Sequence, residues 1–138
     1  MTKYLPFMYD ENNNYFVNDK GFIITGSYLK YLLAFLNSKL FKVCFKDFFP
    51  ELLGGTRELR KIFFDKIPIL IPSKEQDTLF ANLVNIVIDL KQKKQDSTDF
   101  ENQIDLLFYN LFQLTEIEIS IMNNAIVPID TNNNSVID

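Results

Sequence analysis

Three basic residues follow a pair of glycines near the middle of the chain, in the run Gly54, Gly55, Thr56, Arg57, Arg60 and Lys61. In a turn or a short helical piece, Arg57 shares a face with both Arg60 and Lys61, because residues three and four apart are neighbours there. An arginine fork suits guanine or phosphate, a lysine suits phosphate, and Thr56 can hydrogen-bond a phosphate or a base edge. The pattern therefore defines a candidate nucleic-acid site. A solvated surface turn, with Glu58 paired to one of the arginines, is the alternative that the residues alone favour.

A second set of cations lies at helical spacing before this turn: Lys39, Lys42 and Lys46. Spacings of three and four residues place them on one face of a helix, where Lys42 and Lys46 are candidate phosphate contacts. A lysine row opposite a leucine row is more often only the solvated side of an amphipathic helix. Asn37-Ser38 lies in the same helix, although both residues are unfavourable in a helix interior. The pair indicates a buried polar contact, a ligand contact or a local packing accident.

Two further features have both a binding and a structural interpretation. Phe48-Phe49 is suited to stack on an extruded base or a single strand. Core packing is nevertheless the favoured interpretation, because the chain has 14 phenylalanines to bury. The cationic run 91–94 is suited to phosphate contacts, and a solvated turn between two helices is the favoured interpretation.

The residues of common catalytic chemistry are missing from the sequence. The 138-residue chain contains no histidine and one cysteine, Cys44. Histidine acid–base catalysis, an internal disulfide and a cysteine-rich zinc site are therefore excluded. The sequence also lacks a glycine-rich phosphate loop, a Gly-x-Ser-x-Gly elbow and a His-Glu-x-x-His motif. We expect a chain that is not itself an enzyme.

Composition and charge narrow the class of protein. A hydrophobic content of 47% and a charged content of 23% are typical of one globular domain with a real core. The sequence has no long uncharged apolar run and its first residues do not resemble a signal peptide. We therefore expect no membrane contact and a cytoplasmic location, which suits a single cysteine. The net charge of −4 argues against a self-sufficient nucleic-acid binder, which is usually basic. Any DNA contact must be a local patch or a share of a larger enzyme's surface.

The first part of the chain is predicted to combine a hairpin with one long helix. Two β-prone runs, 15–17 and 22–25, flank turn residues and predict the hairpin. The helix is expected to begin at an N-cap, Ser27, and to end near Asp47, because apolar residues recur at three- and four-residue spacing between them.

Further strands and three helices are predicted after the Gly54-Gly55 loop. Residues 62–64 and 67–72 have extended character, and Pro68 favours an edge strand or a strand start. Capping-box patterns, Ser73-x-x-Gln76 and Thr115-x-x-Glu118, predict the starts of two helices. A third lies between them, from about Phe100 to Leu111, and the last is expected to end near Ile121. The fold class is mixed α/β (α+β): a small mixed sheet with one long helix, then an antiparallel helical pair and a short C-terminal helix.

Three segments together resemble a known family: Leu29–Lys46, Gly54–Gln76 and Phe100–Met122. They contain a leucine-rich helix with Leu-Asn-Ser-Lys, a glycine-led loop, and an Ile-Pro-Ile strand with a downstream glutamine. The last contains Ile-Asp-x-Leu-x-Tyr-x-Leu-x-x-Leu-Thr-x-x-Glu-Ile. The ordered set resembles the C-terminal specificity domain of TaqI-like adenine DNA methyltransferases over about residues 15–122. It is also similar to target-recognition modules of bifunctional restriction–modification enzymes and to type I specificity subunits.

The resemblance implies a DNA target-recognition domain, the C-terminal fragment of a restriction–modification adenine methyltransferase. The family's Asn-Pro-Pro-Tyr type motif is missing here. Methyl transfer and its donor, S-adenosylmethionine, are therefore expected in an upstream domain of the same chain or a partner subunit, with no cofactor in this chain. Duplex DNA and that domain are the implied partners. The loop at 54–61 would lie toward the DNA groove, and the strand at 67–72 would be sheet scaffold.

The expected organisation divides the chain into four parts: an irregular segment at 1–14, the sheet-plus-helix part of the recognition domain at 15–72, a helical spacer at 73–125 and a flexible tail at 126–138. The alternative function is a protein–protein docking module built on the amphipathic helices, because an acidic chain with long helices suits packing against another subunit.

Overall fold

The computed structural model describes residues 7–12, 16–17 and 21–125 of the chain. Within these ranges the backbone forms six helices and two strands: α1 Leu29–Asn37, α2 Lys39–Cys44, β1 Glu51–Leu52, β2 Thr56–Arg57, α3 Lys61–Phe64, α4 Lys74–Gln92, α5 Thr98–Leu111 and α6 Glu116–Asn124. Short 3-10 turns at Lys46–Phe48 and Leu53–Gly55 precede β1 and join β1 to β2. The protein is therefore mixed α/β with helix predominating.

The single long helix predicted from Ser27 onward is instead two helices. This prediction is wrong because Ser38 is extended (φ −64°, ψ 155°) and serves as the N-cap of α2, where its side chain accepts a hydrogen bond from the Phe41 N–H. A serine that is unfavourable inside a helix is favourable at a helix start, because its oxygen satisfies an otherwise unpaired donor. The cap predicted at Ser27 is also wrong, since α1 begins after Tyr28, which is left-handed and makes no side-chain cap.

The sheet is small and antiparallel. Glu51 lies opposite Arg57, and Leu52 lies opposite Thr56. The mixed sheet predicted from the sequence is thus a single β-hairpin within the described part of the chain. Its turn contains the two glycines.

The strands predicted elsewhere are not found. Residues 62–64 lie in α3, and residues 22–25 and 67–72 are irregular. The strand predicted at 15–17 and its turn lie partly outside the described residues. Aromatic and β-branched residues suit a pleated surface, but a strand also requires a neighbouring strand for its backbone groups. No described segment pairs with 67–72, so its composition alone did not produce a strand.

Both predicted capping boxes are confirmed. Ser73 caps α4 by accepting from the Gln76 N–H, while the Gln76 side chain accepts from the Ser73 N–H. Thr115 and Glu118 make the same reciprocal pair at the start of α6. These patterns are local in sequence, which is why they identify helix starts without knowledge of the fold.

Helices α4 and α5 form an antiparallel pair. Phe80 near the start of α4 stacks on Phe108 near the end of α5, with ring centroids 4.5 Å apart. Lys91 near the end of α4 pairs with Glu101 near the start of α5 at 2.7 Å. The turn that joins them carries Lys93 and contains no strand or helix.

The core is an aromatic cluster that joins the first helices to this pair. Its most buried large side chains are Tyr31, Phe35, Phe41, Phe49, Phe108 and Tyr109. Phe35 contacts Phe108 at 5.5 Å between ring centroids. α1 packs along α4, and α2 contacts α5 and α6. The core interpretation of Phe49 is confirmed, whereas Phe48 is 40% exposed. The division of the chain at residue 72 stays a prediction, and the predicted tail at 126–138 lies outside the described residues.

Candidate nucleic-acid interface

The β1–β2 hairpin presents the glycine pair and one leucine at its tip. Gly54 and Gly55 both have positive φ, 76° and 73°, a conformation that glycine adopts without strain. The Thr56 hydroxyl donates to the Leu53 carbonyl at 3.1 Å, which closes the turn. Thr56, a predicted site residue, therefore uses its hydroxyl inside the turn. The Leu53 side chain is 98% exposed.

The Arg57 guanidinium holds the base of the hairpin. It pairs with Asp47 at 3.1 Å and with Glu51 at 3.2 Å, and it donates to the Phe49 carbonyl at 3.0 Å. Only 16% of the Arg57 side chain is exposed. The planar fork of arginine suits several acceptors at once. In this arrangement Arg57 is a brace for the hairpin, and a base contact would require it to exchange these partners.

Arg60 and Lys61 lie at the start of α3 and are exposed. Arg60 is the N-cap residue of α3 and pairs with Glu58 at 3.0 Å. Lys61 pairs with Asp65 at 2.7 Å, four residues along the chain. The alternative in which Glu58 pairs with an arginine is thus observed for Arg60. Surface pairs of this kind contribute little free energy, so a phosphate can displace them.

The lysine row on α2 divides between two environments. The Lys39 backbone N–H donates to Asp105 at 2.8 Å, and its ammonium contacts the Asn123 carbonyl of α6 at 3.3 Å. Lys42 is half-buried and faces Glu101 and Asp105 of α5. Lys39 and Lys42 therefore belong to the joint between α2 and the C-terminal helices. Lys46 lies in the following 3-10 turn and is exposed.

The Asn37-Ser38 pair makes partly buried and buried polar contacts at the break between α1 and α2. Asn37 donates to the Phe7 and Leu33 carbonyls at 3.0 and 3.1 Å. The Ser38 hydroxyl donates to the Phe35 carbonyl at 2.6 Å. These bonds explain why two helix-unfavourable residues occur here. They select the buried-contact interpretation among those that the sequence left open.

Burial shifts the pKa of the charged groups in this joint. It lowers the pKa of Lys42 and raises the pKa of Asp105, because each charged form loses water. The hydrogen bond from the Lys39 N–H and the neighbouring lysines oppose the shift at Asp105. At Glu101 burial also acts to raise the pKa, but hydrogen bonds from Lys91 and Ser97 prevail and the pKa is lowered.

Four exposed lysines in the described part of the chain have ammonium groups without a hydrogen bond or an ion pair: Lys46, Lys66, Lys74 and Lys94. Two of them, Lys46 and Lys66, flank the hairpin in the sequence. Phe49, three residues after Lys46, contacts Phe64, two residues before Lys66, at 4.8 Å between ring centroids. Lys66 was missed by sequence reasoning because it stands outside the basic triplet. The sequence does contain an indication of it. Lys66 directly follows Asp65, and the Asp65 carboxylate is already paired with Lys61.

A polar cavity of about 340 Å³ lies apart from the hairpin, between residues 9–12, α1 and α4. Lys30 projects into it, stacks over the Tyr9 ring at 5.2 Å and donates to Asn85 at 2.6 Å.

Across the described residues there is no cluster of three or more ligand side chains that could hold a metal ion. None of the helices in this part of the chain is long and apolar enough to cross a membrane.

Comparison with known proteins bears on the segment that contains the hairpin. The sequence model of the TaqI-like C-terminal specificity domain matches residues 1–69, half of the 138-residue chain. The chain belongs to this family. The TaqI-like specificity domain is a specificity module rather than a catalytic one, and the match includes the hairpin and the basic triplet. It ends before α4, so the helical pair lies beyond it. No curated protein and no solved structure matches the chain.

Proposed function

We propose that this TaqI-like specificity domain reads and grips duplex DNA for a restriction–modification adenine methyltransferase. The β1–β2 hairpin and the start of α3 would face the duplex. Phosphate contacts would fix register, and side chains of the hairpin would contact base edges. We place the protein in the cytoplasm, as expected for such an enzyme.

The family match over residues 1–69 carries this proposal, because it covers the β1–β2 hairpin and α3. A two-stranded ribbon is one of the elements that the major groove admits. Behind the ribbon, Arg57 and the buried Phe49 attach it to the aromatic core. Rigid support of this kind suits a recognition element, since a loose side chain would lose entropy on binding.

Lys46 and Lys66 are the cations best placed to contact phosphate. Both are exposed, and neither would have to give up an ion pair among the described residues. Arg60 and Lys61 would contribute after exchanging Glu58 and Asp65 for phosphate. The set is small, which agrees with a chain of net charge −4 that relies on another domain for part of its DNA affinity.

Methyl transfer and S-adenosylmethionine belong, on this proposal, to a separate methyltransferase domain or subunit. The present chain lacks the Asn-Pro-Pro-Tyr type motif and does not fit as the site of that chemistry. Its part is to hold the duplex in register while the target adenine is extruded into the other domain's pocket.

The test is DNA binding by the full-length gene product, first selected on randomised duplexes and then titrated with salt. Wild type is expected to bind selected sequences more tightly than random ones and to lose affinity steeply as salt rises. Lys46→Gln and Lys66→Gln should each reduce the slope of log K against log salt by about 1, without changing the preferred sequence. Lys94→Gln, in the turn after α4, is the matched control and should leave the slope unchanged.

Binding that persists or strengthens with salt would contradict DNA recognition and would favour the docking alternative, since apolar contacts survive screening. An equal effect of Lys94→Gln would show that charge alone matters and that the hairpin side is not the DNA-facing surface.

A further inference from the structure

Leu53 is held in solvent at the tip of a braced hairpin. It is 98% exposed, whereas the residues of β1 and β2 on either side of the turn are partly covered or polar. Hairpin tips are normally built from asparagine, aspartate and glycine, which tolerate the turn and interact well with water. The fold of this chain does not bury the apolar side chain at this position, so burial of Leu53 does not stabilise the fold.

The turn holds the backbone that carries the leucine. A side chain added at Gly54 would meet no atom within 4 Å, so the glycine serves the positive-φ backbone and not a close packing contact. The bond from the Thr56 hydroxyl to the Leu53 carbonyl and the grip of Arg57 on Glu51 then hold both strands. The structure therefore presents Leu53 on a supported tip instead of a loose loop.

The chemistry of the tip indicates what it can contact. Side chains 53–55 are leucine and two glycines, which offer no hydrogen-bonding group. The next hydroxyl, of Thr56, is already used within the turn. Such a tip cannot distinguish bases by side-chain hydrogen bonds. In the major groove the apolar feature that varies between base pairs is the C5-methyl group of thymine.

We propose that Leu53 is a specificity-determining residue that recognises a thymine methyl group in the major groove. This inference rests on the proposed function, because it requires the hairpin to enter the groove. Glycines beside Leu53 add no bulk, so the tip can approach the base edges closely. Leu53 thus contributes selectivity for thymine, while Lys46 and Lys66 contribute affinity that is independent of sequence.

The test removes the methyl group and the leucine separately and together. In a duplex selected by the full-length gene product, each thymine is replaced in turn by deoxyuridine, which lacks only the methyl. At one position wild type is expected to lose about fourfold in affinity, since burial of one CH₂-sized group contributes about 0.8 kcal/mol. Leu53→Ala should bind the thymine duplex more weakly and lose nothing further on this replacement.

Ile117→Ala is the matched control, because it also shortens a side chain that is mostly exposed, on α6. It should keep the full deoxyuridine effect. Unfolding in urea should be unchanged for Leu53→Ala, which separates a lost contact from a lost fold.

Three outcomes overturn the inference: no thymine position is sensitive in wild type, the sensitive position stays sensitive in Leu53→Ala, or Leu53→Ala weakens all duplexes equally. In each of them sequence-dependent binding by wild type would still stand. Absence of any sequence-dependent binding by wild type is a different result, and it would overturn the proposed function itself.

Discussion

Arg57→Ala is expected to destabilise the β1–β2 hairpin and not to remove one base contact. The guanidinium has three partners, Asp47, Glu51 and the Phe49 carbonyl. Because both carboxylates are well exposed, 72% and 59%, each pair should contribute about 0.2–1 kcal/mol. The bond from a charged donor to a carbonyl contributes about 1.5–3 kcal/mol. Since one group serves all three, we expect a total near 2–3 kcal/mol.

The assay is urea denaturation of the full chain, followed by circular dichroism, with hydrogen exchange at the backbone N–H groups of the hairpin. Arg57→Lys should lose an intermediate amount, because a lysine keeps the charge without the planar fork. Arg60→Ala removes only an exposed pair with Glu58 and should cost less than about 1 kcal/mol.

The opposite result would support the guanine-reading role that the sequence suggests for Arg57. In that case Arg57→Ala would unfold at the same urea concentration as wild type, within about 0.5 kcal/mol. It would also relax selectivity at one base pair of the DNA site. Unchanged stability together with a local loss of selectivity would refute the argument that Arg57 is a brace.

Three further predictions concern the joint, a cap and the core. Burial raises the Asp105 pKa above its ordinary 3.8, so the folded wild type loses stability as pH rises through that raised pKa. Asp105→Asn keeps an acceptor for the Lys39 N–H and should not show this loss. If the urea midpoints of wild type and of Asp105→Asn change in parallel from acid to neutral pH, this prediction is contradicted. Ser73→Ala should cost about 1 kcal/mol and Ser73→Gly a few tenths; equal midpoints would exclude the cap as a source of stability. Phe108→Ala should cost about 3–5 kcal/mol, far more than Phe48→Ala at a side chain 40% exposed, and similar thermal midpoints for the two would refute this core assignment.

The C-terminal helices were predictable because their signals are local. A serine or threonine followed three residues later by glutamine or glutamate identifies the first turn of α4 and of α6. Apolar residues at three- and four-residue spacing define their inner faces. None of this requires knowledge of which segment packs against which.

The break between α1 and α2 was not predictable on the same grounds. Ser38 suits either a helix interior that bonds to a preceding carbonyl or a new N-cap. The choice is made by partners distant in sequence, including Asp105, which accepts from the Lys39 N–H across 66 positions. Likewise residues 67–72 have strand composition, and no described strand lies beside them to complete the backbone pairing.

The sequence predicts a candidate site, but it does not show which partners the side chains of that site have in the fold. The guanidinium group uses the same N–H donors to bind guanine or two carboxylates. The presence of Arg57 in the sequence therefore did not reveal that Asp47 and Glu51 would be its partners. The spacing of lysines on a helix predicts that they share a face. It does not predict which residues that face contacts. Lys42 faces the carboxylates of α5, while Lys46 beyond the helix end is exposed.

The Leu-Asn-Ser-Lys and Ile-Asp-x-Leu segments, which lie far apart in the sequence, meet at one joint. The Asp105 carboxylate accepts from the Lys39 N–H at the start of α2, and α2 is followed by the 3-10 turn whose Asp47 pairs with Arg57 of the hairpin. The matched family segment ends at residue 69, so it lacks both this carboxylate and the Phe108 ring that packs on Phe35. Segment 1–69 therefore does not contain all the contacts that hold α1, α2 and the hairpin after them, and α5 of the helical pair supplies the missing ones.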